Sequence, residues 1–289
     1  MEFTFGTDPE FFLRLGPLEK NAIPIIKRGK KNPIIIGENS FYYDNVLAEC
    51  TVKPGGNAAE VIENIRIALR KFTQLIRPYT LAGMSSYRFN PDDFSDCKEA
   101  FIVGCKEEWC AYDLKPISNV HIKTIIEDRK NGLRAAGGHI HLGAEFLQEE
   151  LNRVRVVRML DLFLAVPMFF AFPYTDWRRN LYGMAGRYRR KPYGLEYRTL
   201  SNRWLQSPTL VRFVFNACEK VLDIVKSGRY DQFKLDDKEY QSNLRKIIDK
   251  GNVYNMHKGI PFIKEVEKVL GYEIPYYYES YDFYSEWDL

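Results

Sequence analysis

Gly137-Gly138-His139-Ile140-His141-Leu142-Gly143 holds two of the chain's four histidines, set two residues apart between glycines. Side chains alternate along an extended strand, so this spacing turns both imidazoles to one face. The flanking glycines leave room for a ligand or another backbone to approach that face. A core strand with two hydrogen-bonded histidines gives the same pattern, and the stretch alone does not separate the two readings.

The two-residue spacing recurs. Asp8 and Glu10 stand two apart in Phe5-Gly6-Thr7-Asp8-Pro9-Glu10-Phe11-Phe12-Leu13, and Glu196 and Arg198 do so in Tyr193-Gly194-Leu195-Glu196-Tyr197-Arg198. A further strand over Val46–Val52 sets Glu49 among apolar neighbours, where a solvated charge is not expected. Four strands therefore offer inward charges. Buried carboxylates repel one another unless neutralised, so convergence of Glu10, Glu49 and Glu196 with His139 predicts bound cations. Oxygen donors with a minority of imidazole suit Mg²⁺ or Mn²⁺ better than zinc.

The chain's 289 residues, 45% of them hydrophobic, can fill a real core. The balance of 42 basic and 38 acidic residues leaves +4, which makes no electrostatic case for nucleic acid or a membrane as the main partner. Five cysteines without framework spacing fit a reducing compartment, and Cys105 and Cys110 are too isolated for a zinc site. Met1-Glu2-Phe3-Thr4 opens without a basic n-region, so the cytoplasm is the expected compartment. The most apolar run, Met159–Phe172, contains Asp161 and Pro167, falls short of the ~20 residues that span a bilayer, and reads as a core helix.

Residues 2–52 read as strands and turns, with Asp44-Asn45 as a tight turn and Asp44 either a turn former or an acid beside the site. Lys27-Arg28-Gly29-Lys30-Lys31 reads as a solvated loop, with phosphate contact as the alternative. Val61, Ile65, Leu69, Phe72 and Ile76 recur at helical spacing behind Asn57 and Glu60, a capping pair, and predict an amphipathic helix over 57–76. Strand character returns from Tyr79 to Phe89, while 101–112 and 120–126 stay unassigned. A long helix over 145–172 is expected to kink or end at Pro167. The cationic segment 177–191 reads as too polar for a core element. Helices follow from Ser207-Pro208 to near Gly228, over 237–250 and over 261–270. The aromatic, acidic tail from Tyr272 reads as too irregular for a helix and as packed on a neighbouring surface. No repeat, linker or boundary interrupts this order, which gives one α+β domain over 1–289.

The arginine-rich segment runs directly into Glu196, and arginines beside divalent cations suit a polyphosphate. No Walker-type or kinase signature is present, so a nucleotide must be held by metals and arginines on a sheet. With Asp8-Pro9-Glu10, the Glu49 strand, Gly-Gly-His139-Ile-His141 and arginines leading into Glu196-Tyr-Arg198, the chain resembles the phage and bacterial carboxylate-amine ligases of the glutamine synthetase and gamma-glutamylcysteine synthetase superfamily. The resemblance covers about residues 1–205. It implies a curved, mainly antiparallel sheet with helices on one face, as in a glutamine synthetase catalytic domain; 206–289 lie outside the resemblance and read, from their own pattern, as a helical closing region and aromatic tail. The resemblance further implies Mg²⁺ or Mn²⁺ on Glu10, Glu49, His139, Glu196 and Asp8. ATP would lie against His141, Arg179, Arg187 and Arg198, and Arg187, Arg189 and Arg198 would act on the transferred phosphoryl group. Small-molecule or peptide carboxylates and amines would be the substrates, joined through an acyl phosphate in a cytoplasm, the host's if the chain is phage-encoded. The first strand departs from the superfamily's Glu-x-Glu, which leaves the number of metals open.

Two other readings stand beside this one. A metal-dependent hydrolase would need further ligands, for which His121 and His257 are the remaining histidines. An RNA- or phage-assembly-associated module would use the basic segment with Tyr182, Tyr188 and Tyr193 interleaved.

Overall fold

The computed structural model describes residues 2–94, 97–101, 108–116, 130–172, 178, 182–250, 256–275 and 282–289. Its strands are β1 (Thr4–Leu15), β2 (Leu18–Lys20), β3 (Ile34–Ile36), β4 (Asn39–Asp44), β5 (Leu47–Thr51), β6 (Thr80–Ala82), β7 (Ser86–Arg88), β8 (Trp109–Cys110), β9 (Lys115–Pro116), β10 (Leu133–Ala135), β11 (Gly138–Gly143), β12 (Arg187–Lys191) and β13 (Gly194–Tyr197). Among the described residues the main sheet runs β3-β4-β5-β1-β11-β13-β12-β8-β9, with β2 and β6 also paired to β1 and β7 paired separately to β10. Every named pairing is antiparallel and the sheet stays open. The expected mixed architecture of helices and antiparallel sheet is therefore present.

β1 lies at the centre because both of its faces have work to do. Its odd-numbered residues Phe5, Phe11 and Leu13 are buried in the main core with Ile140 and Leu142 of β11 and Tyr197 of β13. The even-numbered residues Asp8 and Glu10 point the other way. Opposed residues in an antiparallel pair share a face, and Asp8 opposes His139, Glu10 opposes Glu49, and His141 opposes Glu196. At one end of that polar face Phe12, Leu47, Ala82, Phe89 and Phe94 form a second, smaller apolar cluster.

Two long helices cover the apolar face. Ala58–Leu75 starts where expected: the Asn57 side chain accepts from Glu60 N at 3.0 Å, and Glu60 accepts from Gly56 N at 2.8 Å. Pro208–Lys226 is capped by Ser207, which accepts from Leu210 N at 3.3 Å, and stops before Gly228, whose φ of 72° suits a residue without Cβ. Phe72 meets Phe41 of β4 with ring centroids 5.0 Å apart, and Phe215 meets Phe5 of β1 at 5.9 Å. Each such ring contributes about 1.5–3 kcal/mol when fully buried. The turn at Asp44-Asn45 also forms, with Asn45 at φ 55° between β4 and β5.

Four expectations need correction. The 145–172 helix is broken into a 3-10 turn (Glu145–Gln148), an α-helix (Glu150–Leu160), a π turn (Asp161–Ala165) and a last helix (Val166–Ala171). Pro167 sits in the first turn of that last piece, where its missing N–H is tolerated, and the wide turn before it absorbs the ring. The basic segment is not loop throughout: Arg187–Lys191 is β12, because its alternation places Tyr188 in the core while Arg187, Arg189 and Lys191 face the carboxylates. The last long helix begins at Met256 rather than 261 and holds Pro261 inside it. The tail does form a helix, Phe283–Trp287, anchored by a buried Trp287 whose indole donates to Leu205 O at 2.8 Å. Residues 120–126 lie outside the described residues. No described helix is long and apolar enough to cross a membrane.

The π turn has a thermodynamic consequence. Fully buried Asp161 accepts from Tyr197 Oη and Gly186 N, each at 2.6 Å, yet burial outweighs those bonds and pushes its carboxyl up to about 7. In the unfolded chain it ionises near the ordinary value of about 3.9. Between the two values the folded state holds the extra proton, so this group's contribution to stability falls as pH rises from about 4 to about 7. Urea midpoints measured at several pH values should show Asp161→Asn losing ground to the wild type at low pH and recovering relative to it by pH 7.5. A constant offset would assign Asp161 no titration in this window.

Candidate functional site

The polar face is built from six neighbouring strands, β4, β5, β1, β11, β13 and β12. Asp8 on β1 faces both histidines of β11: its Oδ1 lies 3.2 Å from His139 Nδ1 and 3.1 Å from His141 Nε2. Burial alone would raise this carboxyl, but the two histidines outweigh it and hold it well below the usual carboxylate range. His139 Nδ1 also lies 3.3 Å from an Arg198 Nη1, and one nitrogen cannot donate to the carboxylate and accept from the guanidinium together. Donation to the charged Asp8 is the stronger bond. His141 Nδ1 meets the hydroxyl of Tyr193, at the tip of the β12–β13 hairpin.

The glycines serve the protein first. A Cβ on Gly137 would come within 2.5 Å of His139 Nε2, and one on Gly138 within 2.4 Å of the Trp204 indole nitrogen. The room beside the His-x-His strand is therefore filled by His139's own ring and by Trp204, not held open for a ligand. Gly137 N instead donates to Glu10 Oε2 at 2.7 Å, and Asn202 donates to Glu10 O at 2.8 Å.

Glu196 is nearly inaccessible and fully engaged. Arg198 and, at 3.5 Å, Arg189 address its Oε1, while Lys191 donates to Oε2 at 2.7 Å. Burial opposes ionisation here, yet Arg198 and then His139 keep the carboxyl below its ordinary value. Arg198 is held from the other side by Glu108, 2.7 Å from its Nε. Arg187, next along β12, reaches among the described residues only the weakly accepting Met184 Sδ at 3.6 Å.

Glu49 differs. It is 1% exposed, and both Tyr42 Oη and Lys30 Nζ donate to its Oε1 at 2.7 Å, while Oε2 is buried without a hydrogen-bond partner. Burial, then the nearby Asp8 charge, pushes this carboxyl well above its usual range against the pull of Lys30. Burial also works against the Lys30 ammonium, but Glu49, Asp8 and Asp44 together hold it charged. One ammonium is thus shared among several acids.

Among the described residues donor atoms gather into two groups, Asp8 with His139 and Glu196, and Glu10 with Asp44 and Glu49, each with all members within 4.8 Å of one another. Both are rich in carboxylate oxygen, which suits a hard divalent cation, and the unpartnered Glu49 oxygen is a position one would fill. At Glu196, contrary to the expectation that its charge requires a bound cation, three cationic side chains already neutralise the acid. Asp44 combines both roles weighed for it, closing a strand and joining a cluster. Arg179 and His121 lie outside the described residues, and His257 is exposed on the Met256–Leu270 helix, in neither group.

Sequence reasoning missed Lys30, Tyr42, Glu108, Lys191 and Tyr193 as parts of this face. Tyr42 and Lys191 had a signal, since each alternates in phase with a site residue on its own hairpin. Glu108 had none.

Residues 131–265 match the family model described as Phage phiEco32-like COOH.NH2 ligase-type 2, which supports assigning the chain to a carboxylate-amine ligase family. The match also supports an enzyme that forms C–N bonds. No curated protein matches the chain. The matched segment holds His139, His141, Arg187, Arg189, Glu196 and Arg198, whereas Asp8, Glu10 and Glu49 precede it and reach the same face through β1.

Arg198 ties this face together, so its removal leaves Glu108 and Glu196 buried with fewer counter-charges. Arg198→Ala should lower stability by about 3 kcal/mol in urea unfolding. A loss under about 0.5 kcal/mol would mean that solvent or the neighbouring lysine replaces it.

Proposed function

We propose that this face binds ATP with Mg²⁺ or Mn²⁺ and that the chain joins a carboxylate to an amine through an acyl phosphate. The observation that carries this reading is the buried, unpartnered Glu49 Oε2 within a group of three carboxylates, set one strand from the Asp8–His139–Glu196 group on the same face. Glu10 and Glu49 would hold one cation, and Asp8, His139 and Glu196 another, where the ions would screen phosphate oxygens from the acidic face. His141 would lie against the nucleotide. Arg187 is the guanidinium most easily redirected to phosphate, because its present partner is a thioether; Arg189 and Arg198 would support it from either side of Glu196. Arg179 joins them on the family resemblance alone.

Carboxylate attack on the γ-phosphorus gives the acyl phosphate and ADP; the amine then adds to the acyl carbon and phosphate leaves. The chain's contribution is position and fixed charge. A glutamine synthetase-like sheet in a single 1–289 domain, with 1–205 bearing the site and 206–289 closing it, is part of this proposal, as are small-molecule or peptide substrates and a cytoplasmic setting. The basic segment supports a phosphate role over RNA binding, because Arg187, Arg189 and Lys191 lie on the carboxylate face of the sheet.

Calorimetry should find ATP binding with Mg²⁺ and at least tenfold weaker binding in EDTA, since the acidic face repels a bare triphosphate. Equal affinity in both would sink the metal-bridged reading. With a carboxylate and amine that react, ADP should appear in proportion to amide. Glu196→Gln should cut that turnover by about 10²-fold or more while metal-dependent ATP binding weakens.

A further inference from the structure

Lys30 stands apart from the other cations of the polar face. Arg189, Lys191 and Arg198 lie on or next to the paired strands β12 and β13, and all three address Glu196. Lys30 comes from the turn between the short helix Ile23–Ile26 and β3, and among the described residues is the cation within hydrogen-bond reach of the other acidic group. The base of its loop is fixed: Tyr43 N donates to Arg28 O at 2.8 Å, and Gly29 bridges to Tyr43. Its side chain is held by the Glu49 carboxylate and the Tyr42 ring. It is half exposed, crosses the Tyr42 ring at 5.2 Å and ends on the Glu49 oxygen that Tyr42 already binds.

That arrangement leaves Glu49 with one oxygen doubly bonded and the other buried and unpartnered, beside Glu10 and Asp44. A divalent cation drawn to Oε2 would stand within a few ångströms of the ammonium. The two repel, and Lys30 is the partner able to leave, since its side chain is half exposed and Tyr42 stays behind to satisfy Oε1. We infer that Lys30 is a tethered counter-ion, holding the Glu10–Asp44–Glu49 group together without metal and swinging into solvent when a divalent cation binds. This rests on the metal reading above and adds to it a built-in competitor. Metal alone would bind weakly. A cation arriving with a phosphate group would bind better, because the freed ammonium then has an anion to meet.

The test uses Mn²⁺ without nucleotide. Acetic anhydride labelling of the wild-type chain, read at Lys30 by peptide mass spectrometry, should become several-fold faster when Mn²⁺ is added. In Glu49→Gln it should be fast with or without the metal. Mn²⁺ binding followed by electron paramagnetic resonance should tighten about tenfold in Lys30→Met and stay within about threefold of wild type in Lys30→Arg, which keeps the charge. If Mn²⁺ binds while Lys30 labelling stays constant or slows, the counter-ion does not leave and the inference is overturned with the metal reading intact. Weaker Mn²⁺ binding in a folded Lys30→Met overturns it equally, since Lys30 would then support the metal. Absence of Mn²⁺ binding in both wild type and Lys30→Met removes the metal reading, and the inference goes with it. The labelling arm needs no substitution, so a variant that fails to fold does not blunt the test.

Discussion

The register of β1 against β5 and β11 is the constraint on which the polar face depends. With Asp8 opposite His139 and Glu10 opposite Glu49, one face of the sheet is acidic and the other carries Phe5, Phe11 and Leu13 into the core. A slip of one residue would exchange those sets. Carboxylates would enter the apolar layer under the helices, at several kcal/mol each, and rings would stand among charges. Core packing and site geometry therefore enforce the same alignment, so neither can be altered without the other.

The polar face is largely self-neutralised, but unevenly. Around Glu196 three cations on or beside adjoining strands cover both carboxylate oxygens, while at Glu49 one loop lysine and one tyrosine cover a single oxygen. A paired buried acid has little left to offer an incoming ion; an acid with a free oxygen has more. The asymmetry leaves the buried, uncovered carboxylate oxygen on the β1–β5 side.

What could be read from sequence was whatever depends on short-range pattern. Alternation gave the inward pairs Asp8/Glu10, His139/His141 and Glu196/Arg198, and cap chemistry gave the starts at Asn57 and Ser207. What could not be read needed knowledge of which strands are neighbours. Lys30 looks like one of several solvated cations until β4 brings Tyr42, and with it the loop, over Glu49. Glu108 carries no local signal because its partner Arg198 is 90 residues away. The arginine segment misleads by composition: Arg187, Arg189 and Lys191 belong to one side of a strand whose other side carries Tyr188 and Arg190, both bonded to Glu150. The glycines beside His139 misled in another way, since small residues show only that something comes close, and here it is the histidine's own ring.

The placement of β1 also bears on how the chain reaches this state. Its pairing with β5 closes a loop of roughly forty residues, but the contact between Asp8 and His139 spans 131. A nascent chain therefore presents the central strand with one edge unpaired through the synthesis of more than a hundred residues, and that edge carries both an apolar face and open backbone groups. Contacts of such separation slow folding and prolong this exposure. Alternating acids along the strand act as gatekeepers in the meantime, because stacking two copies of β1 edge to edge would bring Asp8 and Glu10 against their own kind.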